Sequence, residues 1–598
     1  MSRKKNARVA GLVLAGFCGI WFFMAAVFIP GLCAPVVFPD ETGYWAQAAA
    51  MAGMDWREVV SQYSWYSFGY GLLMLPFIKT GADPSTLYRC MAGVNFLLLA
   101  GAVLLLYRML KEIFPGAGDG LLACAGGGGM LYVSWTVYAG TTLTEALLTF
   151  LYVLAAWGTA RQLRHPGGLG WLLPAVAAGC MYMVHMRTVG IVLGIILCMA
   201  AGAFLQKKEA GAGGRLWCFL FVLILFFLAA AGIKAALVAE MGSEIYTGKT
   251  GTNSYSGQWG KIAFLFTPEG IWNFAAGLAG KIFYLGCASF GMYFWGMTFL
   301  LREVHKLAVG IRTGRTGQGR NGGGAEGRGI CTVQGLLCLW VLLTHLGALL
   351  ICCIYCLRTD RLDGLLYGRY HENTLPPILA LGILELAGKS GVKRRFLQLL
   401  GILGGCFFTV FLVLGTGEIR FTERQSVTGI LYALDLAQKY DRRTMLYAYM
   451  GGILGGILVL GAADFARRGK GKRRKCLLLV PCLLQLLLGI YGAETYVQAA
   501  NRGQQEDTAL LSMAREEALR GEQQEALYLC GGASRQMCLA QFMLWDVSLH
   551  PDLDGAVPEG VGEIFLVEKG NGMEETLPED CEAEGESPRY ILYRRRGP

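Results

Sequence analysis

Two adjacent carboxylates, Asp40 and Glu41, stand in the segment Pro39-Asp40-Glu41-Thr42-Gly43-Tyr44-Trp45, just past the first long apolar run. A carboxylate beside a hydroxyl or amine can take its proton and act as a general base. Glu145 follows near the end of another apolar run. His185 and Arg187 fall in a short break between two more, and Arg358, Asp360, Arg361, Asp363, Arg369, Tyr370 and His371 crowd a later connection. Arginines beside apolar helices at headgroup depth suit a lipid phosphate or diphosphate, because the planar guanidinium binds it bidentately. A base and such arginines together describe displacement of a lipid-linked phosphate by an acceptor. The arginines would stabilise the departing charge, and no metal is strictly required. Each residue also has a plainer reading. Asp40-Glu41 can be interfacial charges among belt aromatics, and Glu145 or His185 can be satisfied packing residues. Their sharing of one face favours a site, and that depends on the elements that carry them.

Those elements are membrane helices. The chain has 598 residues, of which 54% are hydrophobic and only 16% charged, with a mean hydropathy of +0.44. Soluble domains run near about 45–50% apolar and about 25% charged. A soluble enzyme, a disordered chain and a disulfide-stapled secreted scaffold are excluded as whole-chain readings. A bilayer core takes about 20 helical residues to cross. Spans are expected at 9–29, 85–107, 119–138, 141–160, 169–185, 188–205, 215–239, 276–301, 332–357, 372–388, 396–415, 446–464 and 476–492. The fold class is therefore an all-α polytopic membrane protein of about thirteen helices. The stretch 119–160 would reach about 63 Å as one helix, so it must be a hairpin. By the same arithmetic 169–205 turns near His185-Met186-Arg187. The run Phe68–Ile78 is too short to span and is expected in the interface.

Lysine and arginine set the orientation. With the N-terminus cytoplasmic, the segments 1–8, 108–119, 161–168, 206–215, 302–328, 388–395 and 467–475 face inward and hold 28 basic residues. The alternate connections face outward: 30–84 with the acidic motif, 139–140, 186–187, 240–275, 358–371 and 416–445. No A-x-A-like site closes the first apolar run, so a cleavable signal peptide is not expected. From residue 493 the composition switches. The tail 493–598 holds 20 acidic and 9 basic residues, a charge of −11, so the preceding 1–492 carries +21 of the net +10. The tail reads as a small outward α/β module. Ala526–Cys530, Glu563–Glu568 and Tyr590–Tyr593 are strand-like, Ser534–Leu544 is helical, and Asp546–Asp554 and Glu574–Glu586 read as polar loops. It shows no catalytic constellation and suits an accessory or acceptor-positioning role.

Other features carry less. Sixteen of the 19 cysteines lie in or beside spans, where a thiol is a small apolar group. Cys353-x-x-Cys356 has no second ligand pair, and spacing alone leaves pairing of Cys530 with Cys538 undecided. Glycine is about twice its usual share, and much of it lies in spans, where small residues let helices approach. The Gly/Arg-rich 310–329 reads as a linker. Gly248-Lys249-Thr250 resembles the end of a phosphate-binding loop, but position 243 is Ser where the motif needs Gly. Nothing suggests nucleic-acid recognition.

Several short motifs together resemble the integral-membrane glycosyltransferases of the GT-C fold. These are Asp40-Glu41 followed by Tyr44-Trp45, then Tyr70-Gly71 with Pro76, Thr144-Glu145, Arg187, and Tyr367-Gly368-Arg369-Tyr370 with Pro376-Pro377. The sequence is most similar to the branch of protein mannosyltransferases and aminoarabinose transferases (glycosyltransferase family 39-like), over roughly residues 9–390. The resemblance implies an inverting transferase at the outer face of the plasma membrane. It would move a sugar from a polyprenyl-phosphate donor to a cell-envelope glycan, lipid or protein. Asp40 would be the base, and Glu41 would orient the acceptor or sugar. Arg187 and Arg369, with Tyr370, would hold the donor phosphate, and Tyr44, Glu145, His185 and His371 would support them. No cofactor is implied, and the His/Asp-rich metal cluster of oligosaccharyltransferases is missing. Two other readings stay open. A transporter or flippase for a lipid-linked or acidic solute would need charged or broken helices at mid-membrane depth related by repeats. An envelope scaffold would leave Asp40-Glu41 and the arginines unexplained.

Overall fold

In the computed structural model every one of the thirteen apolar segments contains helix. Residues 3–595 are described, apart from 57, 61–66, 166, 168–169, 206–211, 242–257, 314–324, 358–361, 389–390, 415–422, 439–440, 469–478, 521–524, 530–533, 553–563 and 571. Among the described residues, 8 helices are long and apolar enough to cross a membrane, or 10 if each of two bent pairs is one span. The other three segments form Glu145–Arg164, Leu172–Val184 and Leu375–Ala387, which are shorter or more charged. The chain is a multi-pass membrane protein.

Two expected spans, 119–138 and 276–301, are bent pairs of helices. The segment 276–301 is not a straight helix: Pro268–Ala288 and Met292–Arg312 meet at 112°. Phe290 (φ 52°) and Gly291 (φ 81°) both take the left-handed region at the break. Glycine enters that region freely and phenylalanine at a cost of about 1–2 kcal/mol. Neither the hydropathy nor the length of the run signals this bend. The hairpin over 169–205 forms as expected. His185 is extended between Leu172–Val184 and the single turn Met186–Thr188, which leads into Val189–Leu205. The height of that turn is set by a glycine contact. A Cβ added at Gly190 would lie 2.3 Å from the Gly347 carbonyl oxygen, and one at Gly347 would lie 2.1 Å from that of Gly190. Only glycine lets the two helices pass so closely.

The acidic motif opens a helix of its own, Asp40–Met51, almost wholly buried. Gly69–Ile78 follows as a short apolar helix, and Pro84–Ile113 starts where the Asp83 side chain accepts from Thr86 N at 2.9 Å. Asp119–Gly129 and Val133–Ala139 then form the other bent pair, at 62°. Glu145–Arg164 carries its acid in the first turn and Arg161 and Arg164 in the last, as the helix dipole favours.

The last span crosses position 493 without a break. Val480–Gly492 passes through a π-turn, Ala493–Gln498, into Ala499–Arg502. After it comes the helix Gln505–Arg520 and a mixed five-stranded sheet: β1 (Glu525–Leu529), β2 (Ser548–Asp552), β3 (Ile564–Glu568), β4 (Cys581–Glu586) and β5 (Tyr590–Arg595). The order is β2-β1-β3-β5-β4, with the first three strands parallel and β5 antiparallel to β3 and β4. Two segments expected as polar loops are thus strands. β2 lies within 546–554 and carries His-Pro, while β4 lies within 574–586 as the charged edge. An edge strand needs no apolar alternation, so its sequence looks like loop. The helix Ser534–Leu544 joins β1 to β2 and packs its aromatic end on the membrane part. Trp45 lies 5.5 Å from both Phe542 and Trp545, and Trp56 lies 5.2 Å from Trp545. Trp56 Nε1 also donates to the Trp545 carbonyl at 2.8 Å. Cys538 is a buried free thiol; Cys530 lies outside the described residues.

Candidate active site

The adjacent carboxylates at 40 and 41 have opposite environments. Helical geometry turns neighbouring side chains about 100° apart, so one faces inward and the other faces the gap between helices. Glu41 is fully buried. Its Oε1 accepts from Val36 N and Val37 N, both at 2.8 Å. Its Oε2 accepts from Thr142 N at 2.6 Å, Thr142 Oγ1 at 2.7 Å and Tyr88 OH at 2.9 Å. Burial pushes this carboxyl up, and the Thr142 hydroxyl and the amides pull it back. With five protein donors it has no face left for a substrate. The sequence reading has Glu41 orienting the acceptor or sugar; the contacts it makes here are with the protein. It ties the start of the Asp40–Met51 helix to the 140–142 turn, and so sets where Asp40 points.

Asp40 is the accessible member, its side chain 17% exposed. Arg369 Nη1 donates to Asp40 Oδ2, and Arg369 Nε donates to Glu145 Oε1 at 2.8 Å. Arg187 Nη2 donates to the same Glu145 oxygen at 2.6 Å. Asp40, Arg369, Glu145 and Arg187 thus form one chain of alternating charge, drawn from four separate elements. Burial opposes the Arg369 charge, but Glu145 and Asp40 outweigh it and hold the guanidinium above its ordinary value. Three polar atoms of this quartet have no hydrogen-bond partner among the described residues: Glu145 Oε2, Arg187 Nε and Arg187 Nη1. The Arg187 guanidinium stacks over the Tyr370 ring, 4.3 Å from its centroid. The face of the fork is thereby held flat while two of its donors stay available. Such an arrangement can bind an anion and present a carboxylate beside it.

The remaining sequence-predicted residues ring this quartet at different distances. His185 caps the turn, its Nδ1 accepting from Arg187 N at 3.3 Å. Tyr44 is buried with its ring 5.9 Å from that of Tyr70. Burial pushes its phenol up, and Arg369 acts against that shift. His371 is buried with neither ring nitrogen hydrogen-bonded among the described residues, and its ring lies 6.4 Å from His345. His345 itself is bonded to Thr374 Oγ1 at 2.8 Å and Tyr293 OH at 2.9 Å. Residues 358–361, which include Arg358, Asp360 and Arg361, lie outside the described residues. Among the described residues no three His, Cys, Asp or Glu side chains group as metal ligands.

The sequence reading missed Glu372. Its carboxylate is fully buried and accepts four hydroxyls: Tyr284 OH at 2.6 Å, Ser134 Oγ at 2.7 Å, Tyr138 OH at 2.7 Å and Tyr132 OH at 2.9 Å. Three of these donors lie in or beside the Val133–Ala139 helix, which the 62° bend turns toward residue 372. The knot fixes the end of the Gly368–Glu372 turn, where the His371 and Glu372 amides bond to the Gly368 carbonyl at 3.1 and 3.2 Å. Arg369 projects from that turn. An ionisable residue opening an apolar run was the available signal; its tyrosine partners are 88 to 240 positions away in sequence.

No family model matches the sequence, and no curated protein does. The comparison of folds is informative. ArnT from Cupriavidus metallidurans bound to undecaprenyl phosphate aligns over 97% of this chain and 97% of its own, with a TM-score of 0.52 at 11% identity. The chain has the GT-C fold. The apo state of the same ArnT aligns over 99% of this chain and 98% of its own, at TM-score 0.52 and 13% identity. The mycobacterial arabinofuranosyltransferase AftD is a looser likeness, at TM-score 0.40, 12% identity and 40% of its length. The GT-C alignment spans both the helical part and the C-terminal sheet. The fold expected over residues 9–390 therefore extends to nearly the whole chain.

Proposed function

We propose that this protein is an inverting glycosyltransferase that moves a sugar from a polyprenyl-phosphate donor to a cell-envelope acceptor. The reaction would take place at the outer face of the plasma membrane, with the N-terminus cytoplasmic and the C-terminal module outside. The observation that carries the reading is the quartet. A partly exposed carboxylate, Asp40, is held by one buried guanidinium, Arg369, and a second, Arg187, keeps two donors unpartnered. A membrane-depth arginine with available N–H groups suits a lipid-linked phosphate, and the ArnT neighbour is named for its complex with undecaprenyl phosphate. In this reading Asp40 takes the proton of the acceptor hydroxyl or amine as its oxygen or nitrogen attacks the anomeric carbon. The bond from that carbon to the phosphate oxygen breaks, and the phosphate leaves against Arg187, with Arg369 adding positive charge while it aims the base. Tyr370 holds the Arg187 plane, and Glu145 keeps the two guanidiniums from repelling each other. Tyr44, His185 and His371 support the wall behind them. The reaction so written draws on no cofactor.

The deciding experiment is transfer of label from a radiolabelled polyprenyl-phosphate sugar to a membrane extract by the purified chain in vesicles. Asp40→Asn should abolish the labelled product while leaving expression and membrane insertion unchanged. Full activity in that variant removes Asp40 from the reaction. Label that crosses the vesicle without any transfer product would favour a transporter.

A further inference from the structure

A second charged cluster lies at the far end of the helix that begins beside Glu372. The 13 residues of Leu375–Ala387 put it about 20 Å from the first. Glu385 accepts Arg302 Nη1 and Nη2, both at 2.9 Å, and Arg395 Nη2 at 3.2 Å. Arg395 Nη2 also donates to the Glu385 carbonyl at 2.6 Å, and Arg467 Nη1 to that of Gly388 at 3.1 Å. Glu303 accepts Lys306 at 2.8 Å and Arg302 Nε at 3.3 Å, while Asp464 pairs with Arg468 at 2.8 Å and Arg467 at 3.9 Å. The ends of Leu375–Ala387, Val392–Leu414 and Arg442–Arg468 meet the middle of Met292–Arg312 here. Among the described residues Arg302, Lys306, Arg395, Arg467 and Arg468 face Glu303, Glu385 and Asp464, an excess of two positive charges.

The buried cation is Arg395. It is 4% exposed, and its Nη1 has no hydrogen-bond partner among the described residues. A buried guanidinium N–H is seldom left without an acceptor. Each carboxylate of the cluster is already shared by two cations, so the acids among the described residues do not supply one. We propose that this end of the fold binds a phosphate-bearing anion, with Arg395 Nη1 as its buried donor and Arg302 and Arg467 as flanking cations. The anion is a lipid headgroup or a soluble phosphate, and it would neutralise the excess charge and fasten the four helices together. This site is separate from the Asp40 quartet, and its test does not use sugar transfer.

The test uses the full chain purified in detergent, with native mass spectrometry counting retained phosphatidylglycerol against phosphatidylcholine. A parallel thermal-unfolding series titrates inorganic phosphate. Arg395→Gln should weaken retention of the anionic lipid about fivefold, the value of one arginine at a membrane surface. Glu385→Gln, which removes the competing carboxylate, should raise retention. A network that serves only as a strut predicts no gain in any variant. Preference for phosphatidylglycerol without a response to phosphate identifies a lipid; a phosphate-dependent rise in unfolding temperature lost in Arg395→Gln identifies a soluble ligand. Equal retention of both lipids with no response to phosphate, in the native chain and in Glu385→Gln, overturns the proposal.

Discussion

Arg369→Lys separates the roles of the two guanidiniums. Arg369 spends Nε on Glu145 at 2.8 Å and Nη1 on Asp40. An ammonium is a compact point donor and cannot copy that fork, so the variant keeps one carboxylate and releases the other. Because Glu145 is already held by Arg187 at 2.6 Å, the carboxylate set adrift is Asp40, the proposed base. One charge-assisted hydrogen bond is worth about 1.5–3 kcal/mol, so kcat should fall about 10- to 150-fold. The donor KM should move little. Arg187→Lys differs. Lysine can still reach Glu145, but it loses the flat fork stacked on Tyr370 and the two unpartnered donors. That variant should raise the donor KM by about tenfold or more and lower kcat less. The assay is initial-rate transfer from a polyprenyl-phosphate sugar in vesicles, with donor and acceptor varied separately. If Arg369→Lys keeps kcat within twofold, or if the two variants change kcat and KM alike, the division of labour argued from the quartet is wrong.

Three further outcomes follow from the same contacts. Glu41→Gln puts an NH2 group among five donors, so it should lower the unfolding temperature as well as activity, whereas Asp40→Asn should lower activity alone; circular dichroism melts distinguish them. Glu372→Gln turns one acceptor oxygen into a donor and leaves at least one of four buried hydroxyls without an acceptor, a loss of about 1–3 kcal/mol in stability measured by thermal unfolding. An unchanged melt would show that the carboxylate is not the keystone of that turn. Trp545→Ala removes a buried ring that touches Trp45, Trp56 and Phe542, a loss of about 3–5 kcal/mol. Limited proteolysis should then cut near residue 503 in the variant and spare the native chain.

The hydropathy of the chain determined by itself that it is a membrane protein, where its apolar helices run, and where the 169–205 hairpin turns. Burying about 20 residues in hydrocarbon leaves the backbone little choice but helix, so composition alone suffices. Charges stranded near helix ends were legible for the same reason: Asp40, Glu145, Arg187 and Arg369 stand out because lipid tolerates few of them. Their partners were not legible. That Glu41 turns inward to Val36, Val37, Tyr88 and Thr142 while Asp40 meets Arg369 depends on the rotation of one helix against others far away in sequence. Glu372 and its four hydroxyls, the 112° break at Phe290-Gly291 and the edge strands of the terminal sheet are likewise products of packing. Whether a carboxylate serves the fold or faces a substrate is set by what surrounds it, and only the tertiary structure brings those surroundings together.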